Sequence, residues 1–120
     1  MLSVGRFVPL KGFDITVRAF AQFYRDAPSD IKPMLKLILV GKGPHEHYIR
    51  NLLSENGIEQ VTTIIPWMPQ SELADIYQRS SVFLFPSHEG AGMVVAEAMS
   101  NGLPVLCWNN YGPGYIVHQE

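Results

Sequence analysis

Cysteine is nearly absent from this 120-residue chain: Cys107 stands alone, which excludes an intrachain disulfide and suits a reducing compartment. No apolar run approaches the roughly 20 residues of a membrane-spanning helix. The opening Met1-Leu2-Ser3-Val4-Gly5-Arg6 lacks the basic-then-apolar layout of a signal peptide. A surplus of charge is missing too, since 9 Lys+Arg stand against 11 Asp+Glu for a formal net charge of -2. That balance argues against a broad nucleic-acid footprint and a polybasic membrane surface, which both need clustered cations. With 47% hydrophobic and 17% charged residues, the composition is that of one soluble domain or part of one, too short for two.

Short apolar runs alternate with helical patterns. Residues 2–5 read as a first strand ending at Gly5-Arg6. Beyond a loop holding Pro9, Lys11 and Gly12, apolar residues at Phe13, Val17, Phe20, Ala21 and Tyr24 follow the spacing of one helix face. Asp14 suits the positive end of that helix, and Asp26-Ala27-Pro28-Ser29-Asp30 stops it. Residues 35–40 form a compact apolar run cut off by Gly41-Lys42-Gly43-Pro44, which predicts a central strand and a tight turn. Tyr48, Ile49, Leu52 and Leu53 make the next helix stripe, closed by Asn56-Gly57 as a left-handed cap. Residues 61–65 are β-branched throughout and predict a third strand. A short helix capped by Ser71 and carrying Leu73, Ile76 and Tyr77 follows. Residues 82–85 predict a fourth strand, stopped by Pro86. Val94, Val95, Ala98 and Met99 line a further helix ending near Gly102, and residues 105–107 resume strand. This rhythm favours an α/β, Rossmann-like fold, a parallel sheet with helices on both faces, because right-handed crossovers leave few alternatives. No repeat, low-complexity tract or linker interrupts it. Gly114 to Glu120 offer no closing helix, so the chain is expected to be a piece of a longer protein.

Ligands of such sheets gather at the carboxyl ends of the strands. After the first strand come Arg6 and Lys11, in a loop that opens a helix; free amides and two cations together would hold a phosphate. At an effective dielectric of about 20, each contact at 4 Å is worth roughly 4 kcal/mol before desolvation. Taken alone, the same residues read as ordinary surface charges. Gly41-Lys42-Gly43-Pro44 lacks the ending of a P-loop and the third glycine of a dinucleotide fingerprint. It reads as a strand-to-helix turn in which Gly41 or Gly43 would let a ligand approach the backbone. The most informative segment follows the fourth strand. Gly90 and Gly92 precede a helix and leave its amides open, a second anion cradle. Glu89 lies in that loop, and Glu97 is roughly 8 Å along the helix with its side chain leaning back toward the start. The two carboxylates suit ligand hydroxyls, for which they are strong acceptors, and read otherwise as solvated acids.

With these residues in view, the chain resembles the C-terminal, nucleotide-sugar-binding domain of group 1 (family 4) glycosyltransferases of the GT-B fold. The matching pieces are Val4-Gly5-Arg6 with Lys11-Gly12-Phe13, Leu39-Val40-Gly41-Lys42-Gly43-Pro44, and Ser71-Glu72-Leu73 leading to Tyr77. Pro86-Ser87 and the E-x7-E element from Glu89 to Glu97 complete the ordered set. The resemblance implies that residues 1–120 are a partial C-terminal donor-binding domain, with the N-terminal acceptor domain and the closing C-terminal elements absent. It implies the donor half of a retaining glycosyltransferase, inactive as an isolated fragment, that takes a UDP-sugar or GDP-sugar donor and no cofactor or metal. Arg6 and Lys11 would bind the diphosphate and stabilise charge on the leaving group, with Gly5 beside them and the amides around Gly90, Ala91, Gly92, Met93 and Val94 completing the cradle. Glu89 would contact hydroxyls of the transferred sugar, Glu97 the ribose, and the backbone of Met68 the nucleobase. Trp67 reads as a packing residue. The partners implied are a nucleotide-sugar and the missing N-terminal domain, with no nucleic acid. The setting implied is cytoplasmic polysaccharide biosynthesis, with a peripheral place at the inner membrane face open to the full-length protein.

This sequence departs from the family pattern at three places. Ala91 stands where an aromatic is usual, Lys42 where the turn is commonly acidic, and Gly112-Pro113-Gly114-Tyr115 where Gly-Gly-x-x-Glu is usual. Two other functions fit a similar sheet: a non-catalytic nucleotide-binding regulatory module, and a GT-B-fold sugar-nucleotide epimerase or phosphorylase. The combination of Lys11-Gly12 with Glu89 and Glu97 disfavours the epimerase or phosphorylase. His45-Glu46-His47 has no metal-ligand spacing and reads as surface. His88 reads as a turn residue or a diphosphate contact, and Cys107 as core.

Overall fold

The computed structural model describes residues 1–87 and 93–107. Five strands run through them: β1 Leu2–Val4, β2 Leu37–Val40, β3 Thr62–Ile65, β4 Phe83–Phe85 and β5 Val105–Cys107. They form one sheet in the order β3-β2-β1-β4-β5, every pair parallel. Four helices connect them: α1 Phe13–Asp26, α2 Glu46–Glu55, α3 Gln70–Arg79 and α4 Met93–Ser100. The expected Rossmann-like architecture is therefore present. None of the helices among the described residues is long and apolar enough to cross a membrane.

Both faces of the sheet are covered, which is why the central strands read as nearly unbroken apolar runs. Leu37 and Leu39 of β2 pack with Phe13, Val17 and Phe20 of α1 and Ile49, Leu52 and Leu53 of α2. Val40 of β2, with Leu2 and Val4 of β1, packs on the other face against Leu73, Ile76 and Tyr77 of α3 and Val95 and Ala98 of α4. Fully burying each large side chain contributes roughly 1.5–3 kcal/mol.

Chain order and strand order together define a reversal. From β1 the chain steps outward to β2 and β3 through α1 and α2, then returns past β1 to lay down β4 and β5 through α3 and α4. β1 thus lies between β2 and β4, and the connections leaving β1 and β4 diverge to opposite faces. This leaves a crevice at their carboxyl ends.

Several boundaries differ from the sequence reading: β1, β3 and β4 are each one residue shorter than the runs 2–5, 61–65 and 82–85, Val61 closing a 3-10 turn. The strand expected from residue 35 begins at Leu37, because Leu35 closes a 3-10 turn over Lys32–Met34 with its N–H on the Lys32 carbonyl. Ser71, expected as a cap, is the second residue of α3. Pro69 occupies the cap position, with the Glu72 and Leu73 amides on its carbonyl. The left-handed turn after α2 falls on Gly57, at φ 69°.

Candidate functional site

The loop leaving β1 is held by backbone on both sides. The Gly5 N–H donates to the Val40 carbonyl at 3.0 Å and the Phe7 N–H to that of Lys42 at 3.0 Å. The Phe7 carbonyl in turn accepts the His45 N–H at 2.9 Å. Phe7 is buried edge-on against Phe13, with ring centres 4.8 Å apart. Gly41 and Gly43 make this contact possible: a Cβ on Gly41 would run into the Gly5 carbonyl oxygen, and one on Gly43 would sit 2.7 Å from that of Phe7. The close approach these glycines allow is chain on chain. With Phe7 anchored inward, Arg6 is left exposed.

The end of the same loop is fastened to β4. Gly12 adopts a left-handed φ of 72°, and a Cβ there would run into the Pro86 carbonyl oxygen. Lys11 lies along Gly5, its Cδ 3.5 Å from where a Cβ would stand, and its Nζ is 5.9 Å from the centre of the Phe85 ring. The buried Ser87 hydroxyl donates to the Leu10 carbonyl at 3.4 Å. Both cations of the loop are thus carried to the carboxyl edge of β1 and β4, where the crevice was expected.

A cleft of about 690 Å³ opens there. Val4, Gly5 and Arg6 form one wall, residues 40–43 the next, and Trp67, Met68, Gln70 and Leu73 a third, with Val94 and Glu97 of α4 closing it. Of the residues singled out by sequence, Gly5, Arg6, Met68, Val94 and Glu97 share this one cavity. Lys11 adjoins it through Gly5, and Met93 is 72% exposed at the start of α4. Glu89, Gly90, Ala91 and Gly92, with His88 and Gly112-Pro113-Gly114-Tyr115, lie outside the described residues.

Glu97 is not a solvated acid on a free helix face. Gln70 Nε2 donates to its Oε1 at 2.6 Å, and Tyr77 Oη to its Oε2 at 3.4 Å. Burial, then the Glu97 charge, then this hydrogen bond push the Tyr77 phenol well above the ordinary tyrosine value. Sequence reasoning passed over Gln70 and placed Tyr77 in a helix stripe and among the pieces of the family resemblance, without a partner for its hydroxyl. The available signal was a phenol on an otherwise apolar face, since a buried Tyr needs a polar partner.

Trp67, read as a packing residue, is instead 70% exposed at the cleft wall. Pro66 and Pro69 flank its segment, which runs irregularly between β3 and α3 and carries the indole clear of both cores. The His45 ring lies tilted against that of Tyr48 with centres 4.5 Å apart, Glu46 pairs with Arg50 at 3.0 Å, and His47 is exposed, so this triplet gathers no ligand set. Cys107 is half-buried on the edge strand β5, where burial pushes its thiol up.

A parallel sheet wound in both directions from β1, with a cation and a carboxylate sharing the crevice at the reversal, belongs to the Rossmann-like class of α/β folds. Within that class the chain belongs to the family described as glycosyl transferases group 1, whose sequence model matches residues 1–120. It is 38% identical over 112 residues to a D-inositol 3-phosphate glycosyltransferase of Streptosporangium roseum, covering 88% of this chain and 25% of that protein. It is 33% identical to an uncharacterized glycosyltransferase of Haemophilus influenzae, covering 100% of this chain and 33% of that one. The chain thus spans between a quarter and a third of the length of these relatives. Among solved structures, the pneumococcal O-GlcNAc transferase GtfA in complex with UDP and GlcNAc shares the fold at a TM-score of 0.85 and 22% identity, over 98% of this chain and 22% of that one. Anabaena HepE in complex with UDP-glucose does so at 0.83 and 21%, over 98% and 32%.

Proposed function

We propose that the chain is the donor-binding part of the C-terminal domain of a retaining glycosyltransferase, which moves a sugar from a UDP-sugar or GDP-sugar to an acceptor held by a second lobe. The observation that carries this reading is that one cleft at the sheet's reversal is lined by Arg6, Met68 and Glu97 together. A diphosphate needs the cation, a ribose the carboxylate and a base the flat ground between Met68 and the β2 turn, and membership of the glycosyltransferase family supports the same order of parts.

In this reading Arg6 and Lys11 neutralise the diphosphate and the charge that grows on it as the sugar–oxygen bond breaks. Amides of Met93 and Val94 at the start of α4 share that work, joined, as the sequence leads us to expect, by those of Gly90, Ala91 and Gly92, and no metal is required. Glu97 accepts from the ribose hydroxyls and Glu89 from those of the transferred sugar. Exposed Trp67 offers a face on which the base can stack, with the backbone of Met68 at its edge. Transfer needs the acceptor lobe, so the 120-residue chain binds donor without transferring sugar. We place the full-length protein in the cytoplasm, with a peripheral position at the inner membrane face open to it.

Calorimetric titration of UDP and of GDP tests the assignment. Arg6→Ala and Lys11→Ala should each weaken binding tenfold to a hundredfold, roughly the worth of a hydrogen bond to a charged group. Equal binding by the parent and both variants would sink the assignment. Donor hydrolysis or transfer by the chain joined to an upstream lobe separates a transferase from a regulatory nucleotide-binding module.

A further inference from the structure

A glutamate on a helix surface samples several rotamers, and a carboxylate that must meet two hydroxyls at once gains from being held in one. Glu97 is held from another helix. Gln70 and Tyr77 lie about two turns apart on α3 and so face α4 together. Gln70 donates to Oε1 at 2.6 Å and Tyr77 to Oε2 at 3.4 Å. The Tyr77 ring is buried with its centre 5.9 Å from that of Phe83, which fixes where its hydroxyl can reach. The Glu97 carbonyl accepts from Ser100 Oγ and Asn101 Nδ2, both at 2.8 Å, so the end of α4 is tied down as well.

A carboxylate has about four acceptor positions, two on each oxygen. With one on each taken by α3, one on each remains, a pair matched to two adjacent hydroxyl donors. Glu97 and Gln70 line the 690 Å³ cleft, while Tyr77 reaches the carboxylate from a separate hollow of about 170 Å³ behind it. Tyr77 therefore holds the carboxylate from that hollow, and Gln70 from the rim that the hollow shares with the cleft.

We propose that Gln70 and Tyr77 are positioning residues that orient Glu97 toward a vicinal diol, and that they set a preference for ribonucleotides over deoxyribonucleotides. This rests on the reading of Glu97 as the ribose contact. Tyr77 suits the role because its phenol, pushed up by burial and by Glu97 itself, stays a donor throughout the physiological range.

The test is the ratio of affinities for UDP and 2′-deoxy-UDP, and for GDP and 2′-deoxy-GDP, with melting temperature measured in parallel. The parent should favour the ribonucleotide by roughly tenfold or more. Glu97→Ala should erase the ratio. Gln70→Ala and Tyr77→Phe should each reduce it, and the double variant should bring it close to that of Glu97→Ala. A lower melting temperature with an intact ratio in both single variants and the double variant would mean that Gln70 and Tyr77 only stitch α3 to α4, which overturns the inference and leaves the donor site standing. An intact ratio in Glu97→Ala overturns the ribose contact, and absence of binding by the parent to both nucleotides overturns the donor site; the inference falls with either.

Discussion

The two faces of the sheet are packed for different ends. Beneath α1 and α2 the core runs from Phe7, Phe13 and Phe20 to Leu39 and Ile49, and Thr16 of α1 is buried as well. Beneath α3 and α4 the core includes Tyr77, whose hydroxyl leaves the apolar interior to meet Glu97, and Val94 at its margin turns toward the cleft. The first face is packed chiefly for stability. The other trades some apolar contact for polar groups that a ligand can use.

The largest expected effect lies on the sealed face. Phe20 is fully buried, so Phe20→Ala should cost about 3–5 kcal/mol of stability. Urea unfolding measures the loss, and nucleotide titration at low temperature, on whatever remains folded, should give the parent's affinity. A folded variant with weakened binding would break the division between faces. Gly12→Ala comes next, at about 1–3 kcal/mol for backbone strain alone, with the added clash on the Pro86 carbonyl. Gly12 fastens the loop of Arg6 and Lys11 to β4, so here stability and nucleotide affinity should fall together.

Most of the fold was legible because Gly and Pro cut the apolar runs sharply: Gly41 to Pro44 after β2, Pro86 after β4, Pro104 before β5. The rule that parallel strands gather ligands at one edge pointed to Arg6 and to Glu97 separately, and the family resemblance grouped them in one site. What stayed hidden depended on rotation and contact between elements. Gln70 is 27 residues from Glu97, and no local spacing says that α3 will present it to α4. Trp67 read as a packing residue because an indole's bulk usually packs; the irregular path between Pro66 and Pro69 leaves it exposed. Gly41 and Gly43 read as a strand-to-helix turn that a ligand could approach; they admit the β1 loop and also line the cleft, since a glycine marks close approach without saying what approaches.

The Tyr77 hydroxyl offers a smaller and pH-dependent test of the polar face. Its folded pKa is raised above the ordinary value of about 10, so the stability it contributes is complete below that value and is lost as pH rises toward the folded one. At neutral pH, Tyr77→Phe should cost about 1 kcal/mol, one hydrogen bond. Above pH 10 the difference between parent and variant should shrink, as the parent alone carries this proton linkage. Melting temperatures from pH 8 to 11 measure it, and parallel curves would place the phenol's environment nearer to water than its packing against Phe83 implies.

Trp67→Ala should have the smallest effect on stability and is for that reason the cleanest probe of the cleft. A side chain 70% exposed contributes little to either core, so unfolding free energy should move by no more than about 0.5 kcal/mol. If the indole is the surface on which a base rests, nucleotide affinity should still fall by about 1–3 kcal/mol. Inorganic pyrophosphate, which has no base, should bind parent and variant alike. A nucleotide affinity that survives the loss of Trp67 would move the base to the Met68 backbone alone. An equal loss for pyrophosphate would mean that Trp67 shapes the cleft. Because folding is nearly untouched, either outcome reports on the ligand, which is what separates this face of the sheet from the one that α1 and α2 seal.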